Sequence, residues 1–211
     1  MLDNEARYRR IQPYILGKKV LDIGIVQHDL ENVESDDWIH GRVVEDASKV
    51  VGIDILEQEI RALQERGYDA RVADAENFDL DETFEVVLAG ELIEHLSNLG
   101  GFLESCYRHL NSDGKLILTT PNGMSIVFPA RRLLNHDIFN PQHTCIFDEQ
   151  TLTQLLAKHG FTVEEINFIQ TNQVHSLHPK QIMTELLESV PPGPVSNQTL
   201  MIVASPNEES S

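Results

Sequence analysis

Along this chain the hydrophobic positions switch repeatedly between two periods, and the switches mark out its elements. Lys19-Val20-Leu21-Asp22-Ile23-Gly24 is an apolar run of the length of a buried parallel strand, ended by an acid and a glycine. Val50-Val51-Gly52-Ile53-Asp54-Ile55 repeats the arrangement. Further strands are expected at Asp69–Val72, Glu85–Ala89, Lys115–Thr120, Phe161–Ile169 and Gln198–Ala204. Helical spacing lies between them. Tyr8, Ile11, Tyr14 and Ile15 predict an opening amphipathic helix over Leu2–Leu16, able to pack on the sheet edge or to close over a cleft. Other helices are expected from Trp38 to about Lys49, capped by Asp36 or Asp37, and over Glu57–Arg66, ended by Gly67. Three more follow, from Ser97 or Asn98 to Leu110, from Asp148 to His159, and over 179–190.

Alternation of this kind predicts a parallel sheet covered by helices, with the last strand antiparallel, in one domain spanning 1–205. Asn111-Ser112-Asp113-Gly114 has the chemistry of a tight turn. Residues 124–147, interrupted by Pro129 and Pro141, are expected to form an irregular cap with one short helix near Ala130–Asn135. The tail 206–211 is expected to be disordered.

Charge narrows the partners. Thirty-four acids against 16 lysines and arginines give a formal charge of -18, spread along the chain without an acidic block. Such a surface repels nucleic acid and anionic membrane, and it suits a protein working in strong salt, so a halophilic source is a hypothesis. Cys106 and Cys145 have no close spacing, which predicts neither disulfide nor zinc knuckle and a cytoplasmic setting. The first residues are charged and no run reaches about eighteen apolar residues, so neither a signal peptide nor a membrane span is expected.

In an open parallel sheet, ligands bind outside the carboxyl ends of the strands, where an acid at the tip of the second strand can bind ribose hydroxyls. Asp54 is the candidate. The turn after Asp22 holds only Gly24, with Val26 and His28 where a pyrophosphate-binding turn would carry glycine, and no Walker lysine follows. A cofactor with ribose and base but no phosphate therefore fits better than a dinucleotide. That spacing disfavours a nicotinamide-dependent oxidoreductase on the same topology.

Six motifs in order carry a resemblance: Val20-Leu21-Asp22-Ile23-Gly24, Val51-Gly52-Ile53-Asp54, Ala73-Asp74-Ala75-Glu76, Gly90-Glu91-Leu92-Ile93-Glu94-His95-Leu96, Leu110-Asn111-Ser112-Asp113-Gly114-Lys115-Leu116 and Thr120-Pro121-Asn122. Together they resemble the class I S-adenosylmethionine-dependent methyltransferases, and within them the group that modifies small molecules and glycans. The resemblance implies a Rossmann-like sheet of seven strands with helices on both faces. It implies S-adenosyl-L-methionine as cofactor, and a small-molecule, glycan or lipid-linked acceptor methylated on oxygen or nitrogen. By that likeness Asp22 and Gly24 would hold the amino-acid end of the cofactor. Asp54, with Ile55, would hold the ribose; Asp74, Ala75 and Glu76 would border the adenine; Ala89, Gly90 and Glu91 would border the methionine part. The glycine-poor turn Ile25 to His28 departs from the family pattern and motivates a second reading, a non-catalytic binding or scaffold protein.

Each residue also has a plainer use. Asp22 and Asp54 could cap the helices that follow, Asp74 could form a turn, and Glu91 and His95 could be an i,i+4 surface pair. A hydroxyl acceptor must lose a proton as its bond to the methyl carbon forms, and a neutral imidazole suits that near pH 7. His95, His136 and His143 are the candidates. His136, Asp137 and His143 lack diagnostic metal-ligand spacing, and no metal is expected.

Overall fold

The computed structural model describes residues 4–26, 37–129, 140–170 and 193–207. Its seven strands are β1 (Lys19–Ile23), β2 (Lys49–Asp54), β3 (Ala70–Val72), β4 (Phe84–Gly90), β5 (Leu110–Pro121), β6 (Phe161–Ile169) and β7 (Thr199–Pro206). They form one sheet in the order β3-β2-β1-β4-β5-β7-β6. The first five strands run parallel, and β7 lies antiparallel between β5 and β6. Among the described residues, the sheet is flanked by α1 (Asn4–Ile15), α2 (Ile39–Asp46), α3 (Glu57–Glu65), α4 (Leu99–His109) and α5 (Glu149–Lys158). Among the described residues no helix is long and apolar enough to cross a membrane.

The pleat explains why the strands read as near-continuous apolar runs. Leu21, Val87, Leu116, Leu118 and Ile202 pack into one core cluster, with Phe102 and Leu103 of α4 and Leu152 and Leu156 of α5. Their neighbours Val20, Val86, Ile117 and Val203 pack on the other face with Tyr8, Ile11 and Ile15 of α1 and Val43 of α2. Successive side chains point to opposite faces, so a strand covered on both must be apolar throughout.

Several expected boundaries move. The second helix runs only to Asp46, because Ser48 N and Lys49 N donate to Lys18 O and draw the chain into β2. The N-cap is Trp38, which makes no side-chain cap, rather than Asp37, and Asp36 lies outside the described residues. Asn98 rather than Ser97 caps α4, accepting from Gly101 N at 3.0 Å, and Asp148 forms a capping box with Thr151.

The expected turn Asn111–Gly114 is absorbed into β5 as an irregularity, since Phe84 pairs with Leu110 and Val86 already pairs with Lys115. The tail begins later than expected. Pro206 belongs to β7, and Asn207 N donates to Gly160 O at 2.7 Å. The helices expected near 130–135 and over 179–190 lie outside the described residues, as do 208–211.

Candidate active site

The carboxyl ends of β1, β2 and β4 open into a cavity of about 920 Å³. Of the residues singled out from the sequence, Asp22, Gly24, Asp54, Ile55, Asp74, Ala75, Glu76, Gly90, Glu91 and His95 all line it. Ala89 does not. It is fully buried in the core that packs against α4, because the pleat turns it away from the neighbouring Gly90. Asn4, Arg7 and Ile11 of α1 also line the cavity, so the opening helix packs on the sheet and closes the cleft.

Gly24 takes φ +79, a conformation L side chains rarely adopt, and donates its amide to Ile53 O at 2.8 Å. The chain thus turns at once beyond β1 and leaves its backbone open to the cavity. What holds this turn, without the glycines a phosphate loop would carry, is a group of buried side chains. Trp38 Nε1 donates to Ile25 O at 2.9 Å, and the Asp22 carboxylate accepts from His40 Nδ1 at 2.8 Å. His40 fits over β2 only because Gly52 has no side chain: a Cβ there would meet Ile25 Cδ1 at 2.6 Å and His40 Cε1 at 2.7 Å.

Asp54 accepts from Val26 N at 2.9 Å and from Leu56 N at 3.1 Å, one amide on each oxygen. A carboxylate has about four acceptor positions, so both oxygens keep capacity for donors in the cavity. Burial pushes its pKa up, against the pull of these amides. Asp22 and Asp54 do not cap the following helices, whose N-cap residues are Trp38 and Leu56 and lack side-chain caps. Asp74 accepts from Glu76 N at 2.9 Å, so it forms the turn after β3 and lines the cavity as well. Glu76 in turn accepts from Ser97 N at 2.5 Å.

Beyond β4 the chain passes through Glu91, at φ +53, into a 3-10 turn over Ile93–His95. A non-glycine residue held there costs roughly 1–3 kcal/mol, strain that gathers at functional sites. Glu91 and His95 therefore do not share a helix face. Glu91 faces Arg7 of α1, with Nη1 to Oε1 at 3.6 Å; burial raises its pKa and the guanidinium opposes the rise. Glu94 is buried and accepts from Thr120 Oγ1 at 2.9 Å; desolvation, and then the charge of Glu91, push it up to about 8.

His95 and His143 meet edge to face, with ring centroids 4.6 Å apart. Burial, then the neighbouring His95, lower the His143 pKa and favour its neutral form. Residues 140–147 are tied to the turn below by Thr144, whose amide donates to Glu94 O at 2.8 Å and whose hydroxyl reaches Leu96 O at 2.7 Å. His136 lies outside the described residues.

Sequence reasoning missed Arg7, His40 and Glu94 as site residues. For Glu94 a signal existed: a carboxylate between Ile93 and Leu96 in a turn too short to turn it to solvent. For Arg7 and His40 none did, because their partners are remote in sequence.

A sheet in this order, with helices on both faces and its cleft at the strands' carboxyl ends, defines a Rossmann-like α/β fold. Residues 6–166 match the model of a family described as a methyltransferase domain, and the chain belongs to that family. A protein of Mycolicibacterium smegmatis named as a probable S-adenosylmethionine-dependent methyltransferase is 28% identical over 165 residues, 77% of this chain and 59% of that one. The human mitochondrial ubiquinone biosynthesis O-methyltransferase is 26% identical over 169 residues, 72% of this chain and 43% of that one. The chain thus spans about half the length of the curated relatives it matches.

Solved structures share the fold. An S-adenosylmethionine-dependent methyltransferase from Archaeoglobus fulgidus has a TM-score of 0.65 at 23% identity, covering 95% of this chain and 92% of that one. One from Mesorhizobium loti has a TM-score of 0.62 at 18% identity, covering 94% and 95%.

S-adenosylmethionine is the cofactor this family implies, and the residues present fit it. Asp22, Asp54, Asp74, Glu76 and Glu91 line the cavity, and Arg7, the one lysine or arginine among its described lining residues, already faces Glu91. Such a lining repels a diphosphate and favours a cation such as a sulfonium.

Proposed function

We propose that this chain transfers the methyl group of S-adenosylmethionine to a hydroxyl oxygen of a small molecule, sugar or lipid-linked intermediate. The bound cofactor supplies an electrophilic methyl carbon on a sulfonium. In this reading Asp54 accepts from the ribose hydroxyls, and Asp74, Ala75 and Glu76 border the adenine. Asp22, through His40, fixes the Gly24 turn against the amino-acid end, while Gly90 and Glu91 flank the methionine part.

The observation that carries the choice of oxygen is the group made by Glu94, His95 and His143, of which His95 lines the cavity. An amine acceptor needs only its lone pair, whereas a hydroxyl needs help with its proton as the new bond forms. Three residues suited to that task meet here. The human relative's name, an O-methyltransferase of ubiquinone biosynthesis, agrees with an oxygen acceptor. That ten of the expected residues line one cavity supports cofactor binding.

Calorimetry with S-adenosylhomocysteine tests the reading. Binding in the micromolar range is expected, and Asp54→Ala should weaken it about 10- to 100-fold with the melting curve retained, the scale of losing charge-assisted hydrogen bonds. No binding at millimolar ligand, or an unchanged affinity in Asp54→Ala, overturns it.

A further inference from the structure

A chain with a formal charge of -18 leaves one region beside its cleft without charge. Aspartate, glutamate, lysine and arginine make up 24% of the residues, yet none of them occurs in 121–129, 140–147 or 193–199. The fold joins these three segments at the carboxyl end of β5. Gly123 N donates to Phe147 O at 2.7 Å, and Ile126 N donates to Val195 O at 2.8 Å. Ile146 packs on the bare backbone of Gly123, where a Cβ would stand 2.5 Å from Ile146 Cγ2.

Apolar side chains of this joined region face solvent. Met124 is 63% exposed, Val195 55%, Ile146 54% and Ile126 39%. The same segments already give Val127, Phe128 and Phe147 to the core, so these four are not needed there. An isolated exposed apolar residue is ordinary, whereas several on segments bonded to one another form a patch of the kind that marks a contact site.

The size, charge and place of the patch select its occupant. Four exposed side chains, among the described residues, fall far short of the roughly 20–30 that each partner brings to a stable protein interface. Without lysine or arginine these segments do not attract an anionic membrane. The patch is also continuous with the cleft. Ile146 follows His143 by three residues, in the segment whose Thr144 and Cys145 amides donate to Glu94 O, and His143 meets His95, which lines the cavity. A molecule whose head reaches His95 can therefore lay an attached chain across Ile146 and Met124.

We propose that this patch holds the apolar chain of the methyl acceptor, which is an amphiphile with an uncharged, hydroxyl-bearing head. The acceptor role rests on the methyltransferase reading, although the binding of an apolar chain does not. The head enters a cleft whose carboxylates repel an anion, and the chain stays on the rim, where each methylene it buries tightens binding by up to about fourfold.

The test uses the full chain with isotope-labelled methionine and isoleucine methyl groups, titrated with monomeric alkyl glucosides as uncharged probes. Octyl glucoside is expected to shift the Met124, Ile126 and Ile146 methyl resonances, and methyl glucoside to leave them in place. From hexyl to nonyl glucoside each added methylene should tighten binding about two- to fourfold. Ile146→Ser should weaken octyl glucoside binding at least about fivefold and leave the melting temperature unchanged; if that variant fails to fold, Met124→Ser decides. Shifts confined to other methyl groups, or an affinity independent of chain length, overturn the proposal. A dimer that dissociates in Ile146→Ser assigns the patch to a second copy and overturns it, as does a lowered melting temperature with octyl glucoside affinity intact, which assigns the patch to packing within the chain. Sedimentation with uncharged phosphatidylcholine vesicles and no response to monomeric glucosides assigns it to a lipid surface and overturns it as well. Equal binding of octanoate overturns the uncharged head. Octyl glucoside binding without S-adenosylhomocysteine binding sinks the methyltransferase reading and leaves the site for an apolar chain standing; S-adenosylhomocysteine binding without any response to the glucosides does the reverse.

Discussion

Gly52 shows how one residue controls a site it does not touch. Its missing side chain makes room for His40, which bonds Asp22, and for Ile25, whose carbonyl anchors Trp38. Gly52→Ala would put a methyl group 2.6 Å from Ile25 Cδ1 and force both neighbours aside. We expect a loss of about 1–3 kcal/mol of stability, the usual scale of overpacking, read as a lower melting temperature, together with weaker S-adenosylhomocysteine binding as the Gly24 turn shifts. Unchanged melting and affinity would show that the Asp22–His40 contact does not set the turn. Asp54 and Gly24 were legible in the sequence because strand tips announce themselves by an acid and a break in the apolar run. The Asp22–His40 pair was not, since nothing local tells which buried histidine will face a given carboxylate.

Among the elements, the amino ends of β1, β2 and β3 share one carboxylate. Glu82 meets Lys19 Nζ at 2.8 Å, Lys49 Nζ at 2.8 Å and Arg71 Nη2 at 2.9 Å. Its bonds to Lys19, then Lys49, outweigh its desolvation and hold its pKa at about 2. A carboxyl group depressed in the folded state stabilises above its unfolded value and loses that contribution as pH falls through the folded one. Denaturant titrations should therefore show a loss between about pH 4.5 and pH 2, on the order of 2 kcal/mol, that is absent in Glu82→Gln. An identical acid profile in the variant would remove Glu82 from that role.

At the other end of the sheet, the segment 140–147 lacks regular structure but is tied down by Thr144. Thr144→Val keeps its shape and removes the hydroxyl's bonds to Glu94 O and Leu96 O. The melting temperature should fall by the equivalent of about 1–2 kcal/mol, the scale of losing such hydrogen bonds. An unchanged melting temperature would mean that these bonds do not hold the segment in place. Strand and helix positions in this region followed from period and capping chemistry, whereas the bulge in β5 did not. The turn signal at Asn111–Gly114 was real, but pairing with β4 on both sides drew it into the strand.

For the whole molecule, a formal charge of -18 means repulsion that salt should relieve. Melting temperature should rise between about 0.1 M and about 2 M potassium chloride. A flat or falling response would sink the halophilic hypothesis. The sequence by itself determined the number and order of the main strands, the apolar faces and the carboxylates at the strand tips. Those properties are written in local periods and in residues that end an element. Only the tertiary structure decided that Arg7 faces Glu91, that His40 meets Asp22, and that His143 stands over Glu94 and His95. Contacts between residues far apart in the chain are fixed by the order in which strands pair and by the loops this pairing closes. A periodic pattern carries no record of that order, so the donors of the cleft became visible only after the sheet had brought them together.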